Sequence, residues 1–217
     1  MSNEADKIIT DFVNELNAPT VFDQVAEFHK AFGLPLFEER TPADAQLSEL
    51  RIRLLKEEYD ELKAAVKDKD LVEIADALAD MTYIICGTAH SYGITLNNGW
   101  EPEYFEFDQP PPETIDEYPD EMNMHLVVLE LLYEAYERYE KHHHYEGIQQ
   151  ALFSMMMEIA ALAYLCQISF KKVFNEVHAS NMTKLMPDGT VLRREDGKVI
   201  KPPHFRKPDL RTVIFGG

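Results

Sequence analysis

The chain has 217 residues and a mass of 25.0 kDa, which allows one domain with a sizeable core. Its 39 Asp and Glu against 21 Lys and Arg give a formal net charge of −18, which argues against nucleic acid or an anionic membrane surface as the main partner. A phosphorylated small molecule stays compatible with that charge, because a divalent cation can bridge carboxylates to phosphates. Cys86 and Cys166 lie in apolar stretches, and the N-terminus lacks a signal-peptide pattern; both features predict a cytoplasmic protein with buried thiols.

Helical periodicity covers most of the chain and predicts an all-α fold, a single domain over residues 1–217 built as a bundle of antiparallel helix hairpins. Gly33 is a good C-cap, and Thr41 before Pro42 suits the start of a long helix. In chain order, the predicted helices cover residues 6–16, 21–32, about 42–66, 71–92, 122–139 and 145–182.

Two segments depart from the helical pattern. Residues 97–121 contain many acids and the run Pro110-Pro111-Pro112, which predicts a Pro-rich loop. Residues 171–217 are expected to hold the end of the last helix, a small C-terminal β-hairpin and an extended tail. The hairpin is predicted because two short β-prone runs flank Asp196-Gly197, a pair that favours a tight turn.

The stretch 148–168 is long enough to span a membrane and carries a single formal charge, Glu158. Polar residues such as Gln149 and Ser154 interrupt it, and no Lys or Arg cluster precedes it. A buried helix of a soluble protein is therefore the better interpretation, and no membrane partner is expected.

A faint internal repeat aligns residues 54–61 with 131–138. In this alignment the acids of the first copy are replaced, so that Glu58 faces Ala135 and Asp80 faces Ser154. Residues 122–170 are thus predicted to be a degenerate second copy of the hairpin 45–95. This copy is expected to pack beside the first hairpin and to cover its single site. Chance similarity between two helical hairpins is the alternative.

Acidic side chains are concentrated on one predicted hairpin, 45–95. On its first helix the acids fall within about 100° of one another, and on its second helix they follow i, i+3, i+7 spacing. Because the break at 67–70 is short, the two helices are antiparallel neighbours and the two acidic stripes can face each other. The acids of this cluster are Glu57, Glu58, Glu61, Glu73, Asp76 and Asp80.

A solvated acidic face is the ordinary explanation of such a pattern, but it does not suit the second helix. Between Ile74 and Gly87 the only charged residues are Asp76 and Asp80, so this helix is apolar most of the way round and should be buried. Buried carboxylates are costly unless they are paired or bind a metal. Since that segment has no Lys or Arg, the sequence predicts a bound cation, Mg²⁺ or Mn²⁺, as hard oxygen ligands prefer.

Glu57-Glu58-x-x-Glu61, followed 12 residues later by Glu73-x-x-Asp76, resembles the EExxE…ExxD signature of the all-α nucleoside triphosphate pyrophosphohydrolases. This MazG-like superfamily includes dimeric dUTPases and phosphoribosyl-ATP pyrophosphohydrolases. The resemblance extends over about 20–96 and 170–210, and the segment 97–169 departs from it.

The resemblance implies hydrolysis of a (d)NTP between the α and β phosphates, giving a monophosphate and pyrophosphate, in a house-cleaning or dUTPase-like role. It implies a homodimer, with Glu57, Glu58 and Glu61 as catalytic residues and Glu57 as the base that activates water. Which acids of the second helix bind metal directly stays open. The implied metal ligands are Glu58, Glu61, Glu73, Asp76 and Asp80.

The resemblance also suggests a binding site for the nucleoside triphosphate substrate. Asn181 and Lys184 match family positions near the nucleotide, and Gln24 and His29 are placed to line a base pocket. Two alternatives remain at this point: a phosphoribosyl-ATP pyrophosphohydrolase, and a catalytically idle helical protein that senses nucleotides. The intact acids of the first hairpin argue against the idle protein.

Overall fold

The computed structural model describes residues 18–96, 107, 109–111 and 119–216, and over these residues the fold is all-helical, which confirms the predicted class. The predicted helix 6–16 and most of the predicted loop 97–121 lie outside the described residues. The described helices are α1 (Val21–Ala31), α2 (Ala45–Asp68), α3 (Leu71–Tyr92), α4 (Pro119–Lys141), α5 (Tyr145–Leu165), α6 (Phe170–Met182) and α7 (Leu210–Phe215).

Helix α3 is the centre of the fold. Its sequence is apolar on nearly every side, and 17 of its 22 residues are buried. It contacts α1, α2, α5, α6 and α7, so each side of the helix is covered by a different neighbour. Since burial of apolar surface is the main favourable term in folding, the rest of the bundle is arranged around this helix.

Two helical hairpins, α2–α3 and α4–α5, lie side by side, because α2 contacts α4 and α3 contacts α5. Polar bonds also join them: the Tyr59 hydroxyl donates to the Leu126 carbonyl at 3.2 Å, and the Ser48 hydroxyl donates to the buried Glu140 carboxylate at 2.9 Å. The origin of α4–α5 as a degenerate copy of α2–α3 stays a prediction.

Helix α5 is long and apolar enough to cross a membrane by length and composition alone. In the fold, half of its most apolar window is buried, and it contacts α3 and α4. A core helix gives the same length and composition, and this packing is that of a core helix.

The predicted single helix 145–182 is wrong, because the chain breaks between α5 and α6. Gln167 adopts a left-handed conformation with φ of 53°, and the Ile168 N–H donates to the Ala163 carbonyl at 2.9 Å. These are the features of a Schellman C-cap, which ends a helix. No glycine or proline marks this break in the sequence.

Helix α2 begins three residues later than Thr41-Pro42 predicts. Its N-cap is Asp44, whose carboxylate accepts from the Leu47 N–H at 2.8 Å. Thr41 has another role, since its N–H donates to the Tyr92 carbonyl at 3.0 Å and ties the preceding loop to the end of α3.

The predicted β-hairpin is also wrong. The described residues contain no strand here, only two isolated bridges, Leu185 with Val191 and Arg193 with Val199. The turn at Asp196-Gly197 does form, since the Arg194 N–H donates to the Lys198 carbonyl at 2.8 Å. The segment is held mainly by side-chain contacts with α1 and α2, such as Lys198 with Glu57, rather than by a ladder of backbone bonds.

Replacing Gly93 by Ala should destabilise the protein strongly. Gly93 ends α3 with φ of 61°, and a Cβ there would lie 1.9 Å from the Glu39 carbonyl oxygen, so the backbone itself must move. Gly33 has a similar φ of 59° but no atom within 4 Å of its Cβ position. Urea unfolding should show a loss of about 1–2 kcal/mol for Gly33→Ala and clearly more for Gly93→Ala. Equal losses would contradict the close packing at Gly93.

Candidate active site

A cavity of about 120 Å³ lies between α1, α2, α3, the end of α6 and residues 197–199. The charged side chains that line this cavity include the carboxylates Glu58 and Asp80 and the lysines Lys184 and Lys198. The described lining includes no residue of α4 or α5, so the roof is formed by the C-terminal segment and not by the second hairpin, contrary to the prediction.

The helix registers bring Glu58 and Asp80 together. Glu58 follows Leu54 and Leu55 on the buried face of α2 and is only 8% exposed. Asp80 is half-buried on α3, next to the buried Ala79. Because α2 and α3 are antiparallel and joined by a short turn, these two positions meet inside the bundle.

Burial raises the pKa of these carboxyl groups. The pKa of Glu58 rises to about 8, because the side chain is desolvated and because Asp80 and Glu61 add negative charge. The pKa of Asp76 rises to about 7 through burial and the charges of Asp80 and Glu73. Burial also raises the pKa of Asp80. The acids of α2 and α3 therefore form one electrostatically connected cluster.

Lysines from the C-terminal part of the chain face this cluster, which corrects the expectation that the acids lack a protein cation. The positive charges of Lys184 and Lys201 oppose the rise in the pKa of Asp80. Burial lowers the pKa of Lys184, although Asp80 favours its charged form. These lysines are more than 100 residues from Asp80 in sequence, so a search of the α3 segment alone could not find them.

The outer acids of the cluster extend toward solvent. Glu61 and Glu73 are exposed and Asp76 is half-buried. Among the described residues, no group of three or more His, Cys, Asp or Glu side chains is arranged as a metal site. The donor chemistry nevertheless fits a hard divalent cation, because several carboxylates with raised pKa share one buried region.

The predicted site residues divide into two groups. His29, Asn181 and Lys184 line the cavity with Glu58 and Asp80. The predicted residues outside its lining are Gln24, Glu57, Glu61, Glu73 and Asp76. Glu57 forms an ion pair with Lys198 at 2.5 Å on the rim. Gln24 donates to the Asn175 side chain at 2.8 Å and ties α1 to α6.

Several lining residues were not predicted as site residues. Lys198 carries no signal in the sequence beyond its charge. Arg51 could have been recognised from the sequence, because it is a charged residue at a core position of α2, three residues before Leu54. Tyr83 also lines the cavity, and its hydroxyl is hydrogen-bonded to His178 Nδ1 at 2.8 Å.

Residues 25–102 match the family model described as phosphoribosyl-ATP pyrophosphohydrolase, which confirms the resemblance to that superfamily for this segment. The segment contains Glu58, Asp80 and the rest of the acidic cluster. Over 200 aligned residues the chain is 28% identical to an uncharacterized protein of Acanthamoeba polyphaga mimivirus, covering 82% of this chain and 75% of that protein. No solved structure gives a significant match.

The metal-free protein should lose stability as the pH rises from about 5 to 8. In this window Glu58 keeps its proton in the folded state up to a pKa of about 8, whereas the unfolded chain has released it above 4.5. The folded state thus binds more protons, and its stability falls with rising pH. Urea unfolding in EDTA at several pH values measures the slope.

Glu58→Gln removes the titrating group, so the free energy of unfolding should depend less steeply on pH. The dependence that remains is expected from Asp76, whose pKa is also raised. Glu49→Gln is the matched control, since Glu49 is exposed on the same helix and outside the cavity. An unchanged slope in Glu58→Gln would contradict the burial of this carboxyl group.

Proposed function

We propose that the protein is a nucleoside triphosphate pyrophosphohydrolase that cleaves a (d)NTP between the α and β phosphates to give a monophosphate and pyrophosphate. The observation that carries this proposal is the placement of Glu58 and Asp80 in one cavity with Lys184 and Lys198. Carboxylates alone would repel a triphosphate, and lysines alone would bind it without providing a ligand for a cation or an acceptor for a proton. The family match over residues 25–102 supports the pyrophosphohydrolase class.

The lysines provide the phosphate contacts. Lys184 lies at the cavity wall beside Asp80, and Lys198 extends from the C-terminal segment over the same region. A lysine ammonium is a compact charge with three donors, which suits phosphate oxygens arriving from several directions. Lys198 is paired with Glu57, and a bound phosphate would replace that carboxylate as its partner.

The acids would hold Mg²⁺, or Mn²⁺ as a substitute, through Glu58, Glu61, Asp76 and Asp80. When bound, such an ion neutralises phosphate charge and makes a coordinated water more acidic. The raised pKa of Glu58 and of Asp76 means that protons must leave these carboxyl groups before a cation binds.

A carboxylate that is not needed to hold the cation would accept the proton of the attacking water. Glu57 is the candidate that the motif suggests: its Oε2 would be released once Lys198 binds phosphate instead, while its Oε1 keeps Arg53 and Arg194 at 3.9 Å. The water oxygen forms a bond to the α-phosphorus, the bond to the bridging oxygen breaks, and pyrophosphate leaves with that bond's electron pair.

Asp80→Asn should abolish turnover, because it removes one negative charge from the centre of the acidic cluster. We expect pyrophosphate release to fall at least about 100-fold across a panel of (d)NTPs with Mg²⁺. The panel includes phosphoribosyl-ATP, the substrate named by the matched family. Asp60→Asn is the control, since Asp60 is exposed on α2 and outside the cavity. Activity within about threefold of wild type in Asp80→Asn would refute the role of Asp80.

Mg²⁺ and Mn²⁺ should raise the melting temperature of the wild-type protein, because a ligand that binds only the folded state stabilises it. Ca²⁺ should also bind but support little catalysis. Asp80→Asn should show a smaller rise, and NaCl at equal ionic strength controls for screening. If millimolar Mg²⁺ and Mn²⁺ leave the wild-type melting curve unmoved, the carboxylate metal site is wrong.

A further inference from the structure

Apart from Glu58, Asp80 and Tyr83, the cavity residues of α1 with the loop that follows it, of α2 and of α3 are mostly apolar, with two polar side chains, Arg51 and His29. We call this part of the lining the inner end. Its apolar lining is formed by Phe28, Leu34, Leu50, Leu54 and Ile84. A flat apolar ring with a polar edge fits such a space better than a phosphate does.

Arg51 in the mostly apolar part of the lining and Glu58 in the charged part are separated along α2 by about the length of a nucleotide. Arg51 and Glu58 are seven residues apart on α2, which places them about 10 Å apart along the helix axis. A nucleotide with its phosphates beside Glu58 and Lys198 would therefore direct its base toward Arg51. The inner end is the part of the cavity that remains for the base.

Arg51 is a buried cation with an unused donor. It is only 6% exposed, and one terminal nitrogen, Nη2, donates to the Ser91 hydroxyl at 2.8 Å. Among the described residues its Nε has no acceptor and no carboxylate forms an ion pair with it. Nε is itself covered, so the terminal nitrogen Nη1 is the donor that this guanidinium can offer to an acceptor oxygen of a ligand, and such a bond would lower the cost of burying the charge.

His29 offers the opposite hydrogen-bonding character. Its Nδ1 lies 2.7 Å from the Pro35 carbonyl oxygen, which can only accept, so Nδ1 carries the hydrogen. Burial and the nearby Arg51 lower the pKa of His29 to about 3, which keeps the ring neutral and leaves Nε2 as an acceptor.

Both side chains meet at Gly87 on α3. A Cβ at Gly87 would lie 2.8 Å from His29 Nε2 and 3.1 Å from Arg51 Nη1. The donor and the acceptor are therefore neighbours, as the hydrogen-bonding atoms on the edge of a nucleobase are.

We propose that Arg51 and His29 read the nucleobase and select bases with a carbonyl next to a ring N–H, namely uracil, thymine, guanine and hypoxanthine. This inference rests on the proposed function and specifies its substrate. Arg51 donates to the base carbonyl, and His29 Nε2 accepts from the ring N–H. Cytosine and adenine have the opposite hydrogen-bonding pattern at this edge. Their amino group is a donor and would face the donor Arg51, and their ring nitrogen is an acceptor and would face the acceptor His29.

The test compares nucleotides that differ only at this edge: dUTP with dCTP, and dITP with dATP. We expect kcat/KM for pyrophosphate release to favour the oxo member of each pair by about tenfold or more. Arg51→Gln and Arg51→Lys should reduce that ratio toward one. Arg40→Gln is the matched control, because Arg40 is exposed, pairs with Glu146 and lies outside the cavity. A purely structural Arg51 would change the melting temperature but leave the ratio intact, which would overturn the proposal.

Calorimetric binding of dUMP, dCMP, dIMP and dAMP to the wild-type protein in Mg²⁺ gives a readout that needs no catalysis and no folded variant. Tighter binding of dUMP and dIMP, with no pyrophosphate from any triphosphate, would support base reading and refute the proposed reaction. Pyrophosphate release at equal rates from all four triphosphates would support the reaction and overturn base reading. Equal binding, or no binding, of all four monophosphates would also overturn base reading.

Discussion

The burial of Glu58 and Asp80 between α2 and α3 is the constraint on which the rest of the site depends. Two carboxyl groups in one desolvated region raise each other's proton affinity unless positive charge approaches them. Positive charge comes from the C-terminal segment, which lies over the α2–α3 hairpin and places Lys184 and Lys198 in the lining of the same cavity. The contact of the tail with α2 includes the ion pair of Lys198 with Glu57, and apolar side chains of the tail, Val191 and Val199 among them, pack against the core beside it.

The helices and the acidic hairpin could be predicted because they follow from local periodicity. The apolar run of α3 and the C-caps at Gly33 and Gly93 are visible in the sequence itself. The break at Gln167 could not be predicted, since its left-handed cap is formed by a residue type that gives no such signal. The β-hairpin was predicted from a turn that does form, but one turn does not specify a ladder when the flanking side chains contact helices instead.

The same limit applies to the site. The acids were identified because they interrupt an apolar helix, and Arg51 gives the same kind of signal at a core position of α2. The sequence pattern does not show which positive charges lie near these acids. Lys198 and Lys201 come close to Glu58 and Asp80 only because the fold brings distant segments of the chain together. Charge compensation between distant segments is a property of the tertiary fold, so residue spacing predicts where a buried charge lies but not what neutralises it.

Among the described residues, the second hairpin contributes buried apolar side chains to the core and no side chain to the lining of the cavity. Helix α3 is apolar on nearly all sides, and α1, α6 and α7 cover only part of its surface, while α5 covers another. Because α4 and α5 contribute nothing to the described lining of the cavity, positions such as Ala135 and Ser154 need not be acidic. Their requirement is to bury apolar surface: Leu152, Met155 and Ile159 of α5 are fully buried. A hairpin that keeps its core residues, with Ala135 and Ser154 where the first hairpin has Glu58 and Asp80, is sufficient for this position in the bundle, whatever its ancestry.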